Sequence, residues 1–256
     1  MDALVSVITP SYNSEKYIGK TIESVISQTY SNWEMIICDD CSKDRTEAIV
    51  KSYNDDRIKF IRNEKNSGAA YSRNNAIRAA KGKYIAFVDS DDLWLPDKLE
   101  KQINFMQEND IAFSYTYYDQ INEHGSPLGV RITGPKKISY RKMLRCNWVG
   151  TLTAVYDAEK VGLIQCVPIK KRNDVPLWLC VLHKTDYCRL LAEPLSLYRV
   201  VNNSSSHSSK LGMIKYHYKV FRVCERFNPV SSFFKTLINL PTVVYKKKRY
   251  RENIRL

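Results

Sequence analysis

The sequence predicts an α/β protein built on a doubly wound, mostly parallel central sheet flanked by helices. Three observations predict it. Apolar runs of strand length recur at 4–9, 33–38, 57–61 and 83–88, and such near-continuous runs suit parallel strands covered on both faces. Stretches with helical spacing of apolar residues separate them through short connections, so each strand returns to the sheet by a crossover. Finally, Tyr12-Asn13, Asp39-Asp40 and Asp89-Ser90-Asp91-Asp92 each terminate a strand. Right-handed crossovers bring these ends to one edge of the sheet, where open α/β sheets bind ligands.

Taken in order, the first strand is broken by Pro10-Ser11-Tyr12-Asn13, because proline removes a ladder donor and asparagine favours turns. Ser14 is positioned to cap the next helix, whose apolar face is Ile18, Ile22, Val25 and Ile26. Trp33-Glu34-Met35-Ile36-Ile37-Cys38 is the second strand, 44–53 a helix, and 57–61 a shorter strand. After a loop at 63–68 comes a helix over 69–80, with Gly82 as its C-cap. The central strand ends in Phe87-Val88-Asp89-Ser90-Asp91-Asp92, and Leu93-Trp94-Leu95-Pro96 leads into a helix over 97–108.

The later chain reads as a strand at 111–115, a turn or hairpin at 125–135, a basic amphipathic stretch at 136–145 and a strand at 151–156. Tyr115, Tyr117 and Tyr118 read as a strand packing one tyrosine set inward. An apolar helix follows over 177–182, with Pro176 as its first residue. A last strand occupies 195–200, before a polar loop at 202–209. From about 211 aromatic and aliphatic residues alternate with polar ones and lead into Lys246-Lys247-Lys248-Arg249-Tyr250-Arg251. Such a basic amphipathic C-terminal extension suits an anionic membrane surface. The expected organisation is one domain over 1–212, divided into halves at 1–95 and 96–212, and the extension over 213–256.

A chain of 256 residues with 44% hydrophobic and 26% charged residues is a globular chain, not a disordered one. Its net charge of +13 points to a polyanionic partner. The basic residues carry no recognised nucleic-acid motif, so nucleic acid is not the expected partner. Seven cysteines at scattered positions argue for free thiols and a reducing compartment. Cys38-Asp39-Asp40-Cys41 has CxxC spacing but no second pair to complete a zinc site. The N-terminal residues lack the pattern of a signal peptide, and no stretch has the apolar length of a membrane span. A cytoplasmic protein, peripheral on the inner face of the cell membrane, is the expectation.

Three carboxylates closing a buried strand can hold Mg²⁺ or Mn²⁺ against a substrate diphosphate. The same residues can simply cap the following helix. The order and spacing of five motifs resolve this choice. Val5-Ser6-Val7-Ile8-Thr9-Pro10-Ser11-Tyr12-Asn13, Gln28-Thr29-Tyr30 before Trp33-Glu34, Asp39-Asp40-Cys41-Ser42, Asn66-Ser67-Gly68 to Ser72-Arg73-Asn74, and Phe87-Val88-Asp89-Ser90-Asp91-Asp92 together resemble the family 2 inverting nucleotide-sugar glycosyltransferases. The strong resemblance covers about the first 110 residues, and Asn173-Asp174 and Tyr198-Arg199 match more loosely.

The resemblance implies a GT-A fold and a nucleoside-diphosphate-sugar donor, with UDP-sugar expected. It implies that Pro10, Tyr12, Asn13, Asp40, Arg73, Asp89 and Ser90 serve the nucleotide, that Asp91 and Asp89 hold Mn²⁺ or Mg²⁺, and that Asp174 is the catalytic base. A base at a helix N-terminus is favoured in its ionised form by the helix dipole. Cys41 stands where the family usually has glycine, and Val201 near a place where many members have histidine; His207 is a candidate substitute. The acceptor implied is a glycan or polyprenyl-diphosphate-linked hydroxyl in bacterial-type surface polysaccharide synthesis. The competing readings are a sugar-phosphate nucleotidyltransferase, against which the absence of a glycine-rich loop after the first strand counts, and a non-catalytic polyanion-binding protein.

Overall fold

A computed structural model describes residues 2–167, 169, 173–201 and 210–255. Four strands, β1 (Val5–Ser11), β2 (Trp33–Asp39), β3 (Ile58–Arg62) and β4 (Tyr84–Phe87), lie parallel in the order β4-β1-β2-β3. Every residue of β1 and β2 is buried, which is why these two runs are mostly apolar, with Ser6 donating to the buried Glu34 at 2.6 Å. Successive side chains leave a strand on opposite faces. Ile8, Ile36, Ile85 and Phe87 therefore enter one apolar layer, and Val5, Val7, Met35, Ile37 and Ala86 the other. Helices α1 (Ile18–Ile26) and α2 (Thr46–Lys51) cover the second layer through Ile18, Ile22, Val25 and Val50, and α3 (Ala69–Ala79) covers the first through Ala76 and Ile77.

Two local expectations are corrected. Gly82 does not cap α3, which ends in an extended Ala80. It is glycine because a Cβ there would sit 2.6 Å from the backbone nitrogen of Ser6. Ser14 does not cap α1 with its side chain, since the residue preceding α1 is Tyr17 and no side chain caps it. The Ser14 carbonyl instead accepts from the Tyr17 and Ile18 N–H groups, and its hydroxyl meets Ser90.

Beyond β4 the sheet becomes mixed, with several antiparallel pairs and one long parallel pair. The short β5 (Leu93–Trp94), expected only as a lead into α4 (Lys98–Glu108), is a strand. β6 (Phe113–Ile121) and β7 (Pro127–Ile132) form a hairpin, and Tyr115 points inward with its hydroxyl on the Pro135 carbonyl. β8 (Lys137–Ser139) and α5 (Tyr140–Arg145) occupy the basic stretch. The strand expected at 151–156 begins as a 3₁₀ turn, and only β9 (Val155–Asp157) joins β4 and β6. Two helices, α6 (Ala158–Val161) and α7 (Asp174–Leu182), precede β10 (Tyr187–Arg199). Pro176 is the third residue of α7 rather than its first. β10 is thirteen residues long and pairs with β6, β5 and β8.

The tail folds as α8 (Lys210–Lys219), a π turn at Val220–Cys224, α9 (Pro229–Arg249) and β11 (Arg251–Asn253). β11 pairs antiparallel with β7, so the end of the chain extends the sheet. α9 has its polarity reversed relative to a core helix. Ser232, Thr236 and Asn239 are buried, and the Asn239 amide donates to the Leu144 carbonyl at 2.7 Å. Val230, Phe233, Phe234, Leu237, Ile238, Val244 and Tyr245 face outward, exposed by 43 to 66%. Among the described residues no helix is long and apolar enough to cross a membrane. The basic run 170–172 and the loop 202–209 with His207 lie outside the described residues.

Candidate active site

The loops that leave β1, β2 and β4 are tied to one another at the strand ends. The Asp40 N–H donates to the Ser11 carbonyl at 2.8 Å. The Asn13 N–H donates to the Ser42 hydroxyl at 2.8 Å, and Ser42 in turn donates its N–H to the buried Asp39 at 2.8 Å. The Ser14 and Ser90 hydroxyls stand 2.7 Å apart, joining the β1 loop to the acidic β4 loop. Asn13 and Cys41 hold this arrangement with positive φ, 47° and 64°. That conformation is uncommon for a side-chain-bearing residue and easy for glycine, so a glycine would meet no strain at the Cys41 position.

Asp40 is buried and accepts from the Asn63 amide at 2.8 Å, the Ser67 N–H at 2.9 Å and the Gly68 N–H at 2.7 Å. It therefore fixes the loop that feeds α3. Asn63 continues the link by donating to Ser72 at 2.9 Å, next to Arg73. Contrary to the expected break, β1 continues through Pro10 opposite Cys38 and ends at Ser11 opposite Asp39, while Tyr12 is 48% exposed and available for stacking. Cys38 and Cys41 both donate to Asn63. Burial pushes the Cys38 thiol up to about 11, so Cys38 is not poised as a thiolate.

Arg73 is the hinge of the site. Its guanidinium is buried, donates through Nη2 to Asp89 Oδ1 at 2.9 Å and through Nη1 to Asn173 Oδ1. Burial opposes its charge, but the Asp89 carboxylate, the Cys166 thiol and the Asp174 carboxylate outweigh that and hold its pKa above the ordinary arginine value. One cation thus lies between the acidic loop after β4 and the start of α7. Its buried Nε has no hydrogen-bond partner among the described residues.

Asp91 and Asp92 are held from behind by Arg199. The Arg199 Nε donates to the Asp91 carbonyl at 2.8 Å, and its backbone N–H to Asp92 Oδ1 at 2.9 Å. Thr21 donates to the carbonyls of Asp92 and Ser90 at 2.9 and 3.1 Å. These contacts fix the loop without neutralising its carboxylates. Burial, and then the neighbouring Asp89 charge, push Asp91 up to about 6. Burial with Asp91 and Asp89 pushes Asp92 well above the carboxylate range. Among the described residues no three His, Cys, Asp or Glu side chains are grouped to hold a metal alone. The donor set suits a hard divalent ion whose remaining ligands come from substrate phosphates and water.

Asp174 opens α7, and its Oδ2 accepts from the Asn147 amide at 2.6 Å. The Asn147 carbonyl accepts from Lys246 of α9 at 2.6 Å. Asn147, Arg199 and Thr21 were not singled out for these positioning roles by the sequence. Only Arg199 carried a signal, in its Tyr-Arg pair.

The mostly parallel sheet with an acidic loop at the end of β4 matches structures of the GT-A fold. The chain belongs to glycosyl transferase family 2, whose family model matches residues 6–156. It is 45% identical over 227 residues to a Bacillus subtilis protein provisionally named teichuronic acid biosynthesis glycosyltransferase TuaG, covering 88% of this chain and 90% of that one. It is 41% identical over 220 residues to the Escherichia coli UDP-Glc:alpha-D-GlcNAc-diphosphoundecaprenol beta-1,3-glucosyltransferase WfgD, covering 86% and 85%. The fold matches S. aureus TarS in complex with UDP-GlcNAc at TM-score 0.71 and 20% identity, over 96% of this chain and 73% of that one. It also matches the mannosyltransferase PcManGT of Pyrobaculum calidifontis, solved with GDP-Man and Mn²⁺, at TM-score 0.63 and 16% identity, over 97% and 75%.

Proposed function

We propose that this glycosyltransferase moves a sugar from a UDP-sugar to a hydroxyl of a lipid-linked glycan acceptor, with inversion at the anomeric carbon, in surface polysaccharide assembly. The observation that carries the reading is Arg73, which reaches Asp89 on the donor side and Asn173 beside Asp174 on the acceptor side. Donor and acceptor chemistry then meet at one buried cation. The UDP donor and polyprenyl-diphosphate acceptor in the name of the WfgD relative support the substrate classes.

Tyr12 stacks on the base, and Pro10, Asn13, Asp40 and Ser90 shape the nucleotide pocket. Asp91 with Asp89 would hold Mn²⁺ or Mg²⁺, which, when bound, stabilises the departing diphosphate by electrostatics. Asp174 takes the proton from the acceptor hydroxyl as that oxygen attacks opposite the diphosphate, a transfer worth about 10²–10⁴-fold in rate. The Asn147 amide on Oδ2 fixes the orientation of the carboxylate, and the N-terminus of α7 favours its ionised form. One displacement converts an α-linked donor sugar into a β-linked product.

The outward apolar face of α9, flanked by Lys247, Lys248 and Arg249, lies on the surface of an anionic membrane, where each basic residue contributes about 1 kcal/mol. The enzyme then works on the cytoplasmic leaflet, where its acceptor is anchored. Incubation of the full chain with UDP-glucose or UDP-GlcNAc, Mn²⁺ and a polyprenyl-diphosphate-linked sugar, followed by product analysis, tests this reading. A β-linked product supports it; formation of UDP-sugar with release of pyrophosphate from sugar 1-phosphate and UTP in a parallel incubation would instead favour a nucleotidyltransferase.

A further inference from the structure

A cavity of about 580 Å³ lies between α5 and the C-terminal half of α9. Arg141, Lys142 and Arg145 supply its charge, and Trp148, Tyr245 and Tyr250 its aromatic wall. None of the three cations has a carboxylate partner among the described residues. Burial lowers the pKa of Lys142, so a cation withdrawn from water here lacks a counter-ion. The wall is rigid: the Trp148 Nε1–H donates to the Lys142 carbonyl at 2.9 Å, and its ring meets Tyr250 edge-on at 5.5 Å.

Two relationships say what the cavity is for. Trp148 directly follows Asn147, whose amide holds Asp174 at 2.6 Å, so the cavity wall is continuous with the residue that orients the base. Its other wall includes Pro241 and Tyr245, which belong to the exposed face of α9. Exposed Arg141 and Arg145 with half-buried Lys142 on one side, and an aromatic, apolar wall on the other, select an amphipathic anion. Phosphate oxygens match arginine forks, and an isoprenoid chain matches the apolar wall.

We propose that this cavity binds the diphosphate of the isoprenoid-linked acceptor, with Arg141 and Arg145 on the phosphates and the lipid leaving along α9. The seat holds the acceptor sugar toward Asp174 and is separate from the loops assigned to the donor nucleotide. The inference rests on the reading of the enzyme as a lipid-linked glycan transferase and adds where the lipid diphosphate sits.

The test is calorimetric titration of the full chain with farnesyl diphosphate, in the presence of saturating UDP and Mn²⁺ so that the donor side is filled. Arg141→Ala with Arg145→Ala should weaken farnesyl diphosphate binding by at least about tenfold, while Arg141→Lys with Arg145→Lys should retain most of it. Inorganic pyrophosphate should bind more weakly than farnesyl diphosphate, and UDP should bind the alanine variant as it binds the wild type. Unchanged farnesyl diphosphate affinity in the alanine variant overturns the proposal. So does pyrophosphate binding as tightly as farnesyl diphosphate, because the apolar wall would then have no role. If the alanine variant loses sedimentation with phosphatidylglycerol vesicles but keeps farnesyl diphosphate, the cavity is a phospholipid headgroup site and the proposal fails. Failure of the wild type to bind UDP at all would instead strike at the glycosyl-transfer reading itself.

Discussion

Arg73 donates to Asp89 across 2.9 Å from a buried position on α3, and the same guanidinium reaches Asn173 one hundred residues further along the chain. The acidic donor loop and the start of α7 are therefore positioned by a single side chain. Removing it leaves Asp89 without its counter-ion and Asn173 without its donor. Arg73→Ala should cost about 2 kcal/mol, below the range for a fully buried pair because Asp89 is 36% exposed. Arg73→Lys should not restore activity, because one ammonium cannot serve both partners in the planar geometry of the guanidinium. Urea denaturation and transfer assays on the two variants check both points.

Asn147 acts on Asp174 from behind. Asn147→Ala removes one hydrogen bond from the carboxylate and loosens its orientation, so kcat should fall by about tenfold or more with the KM for the donor little changed. A merely structural role would lower the melting temperature and leave the kinetic split unseen. Asn147→Gln, with a longer amide, should recover part of kcat.

The acidic loop carries a stability cost that a bound cation would remove. The Asp91 pKa stands at about 6 in the fold, above its ordinary value of 3.8. A raised folded pKa means that stability is fully present below about pH 4 and is lost as pH rises through about 6. Without divalent metal, Asp91→Asn should therefore be more stable than wild type at pH 8, by about 3 kcal/mol, and equal to it near pH 4. The same variant should lose transfer activity. Thermal melts with EDTA across this pH range, beside activity assays, would read both effects; a variant less stable than wild type at pH 8 would mean the loop is not charge-strained.

Much of this architecture was legible in the sequence, and the exceptions have physical causes. β1, β2 and β4 are covered on both faces, so their residues read as mostly apolar runs. β10 is different: Glu193-Pro194 interrupts its pattern where the pairing with β6 shifts register, and only the part after Pro194 looked like a strand. β5 has two residues, too few for any periodicity to show. The acidic motif was visible because three aspartates end an apolar run, whereas Asn147 is a lone amide whose role depends on a contact 27 residues away. The tail was recognisably amphipathic, but composition alone could not tell that Ser232, Thr236 and Asn239 face the protein while the phenylalanines face out.

That reversed helix gives a direct prediction. Phe234→Ser and Ile238→Ser together remove apolar surface that is 57% and 63% exposed. The variant should retain its melting temperature within about 1 kcal/mol of wild-type stability and lose most of its sedimentation with phosphatidylglycerol vesicles. Retained vesicle binding would move the membrane contact elsewhere on the molecule.

The central claim is that Asp174 removes the acceptor proton at a site assembled by Arg73 and Asn147. The most direct measurement is the transfer rate of Asp174→Asn with UDP-sugar, Mn²⁺ and a polyprenyl-diphosphate-linked acceptor, alongside UDP titration of the same preparation. A fall in kcat of about 100-fold or more, with UDP binding unchanged, is the predicted result. Turnover close to that of the wild type would contradict the account.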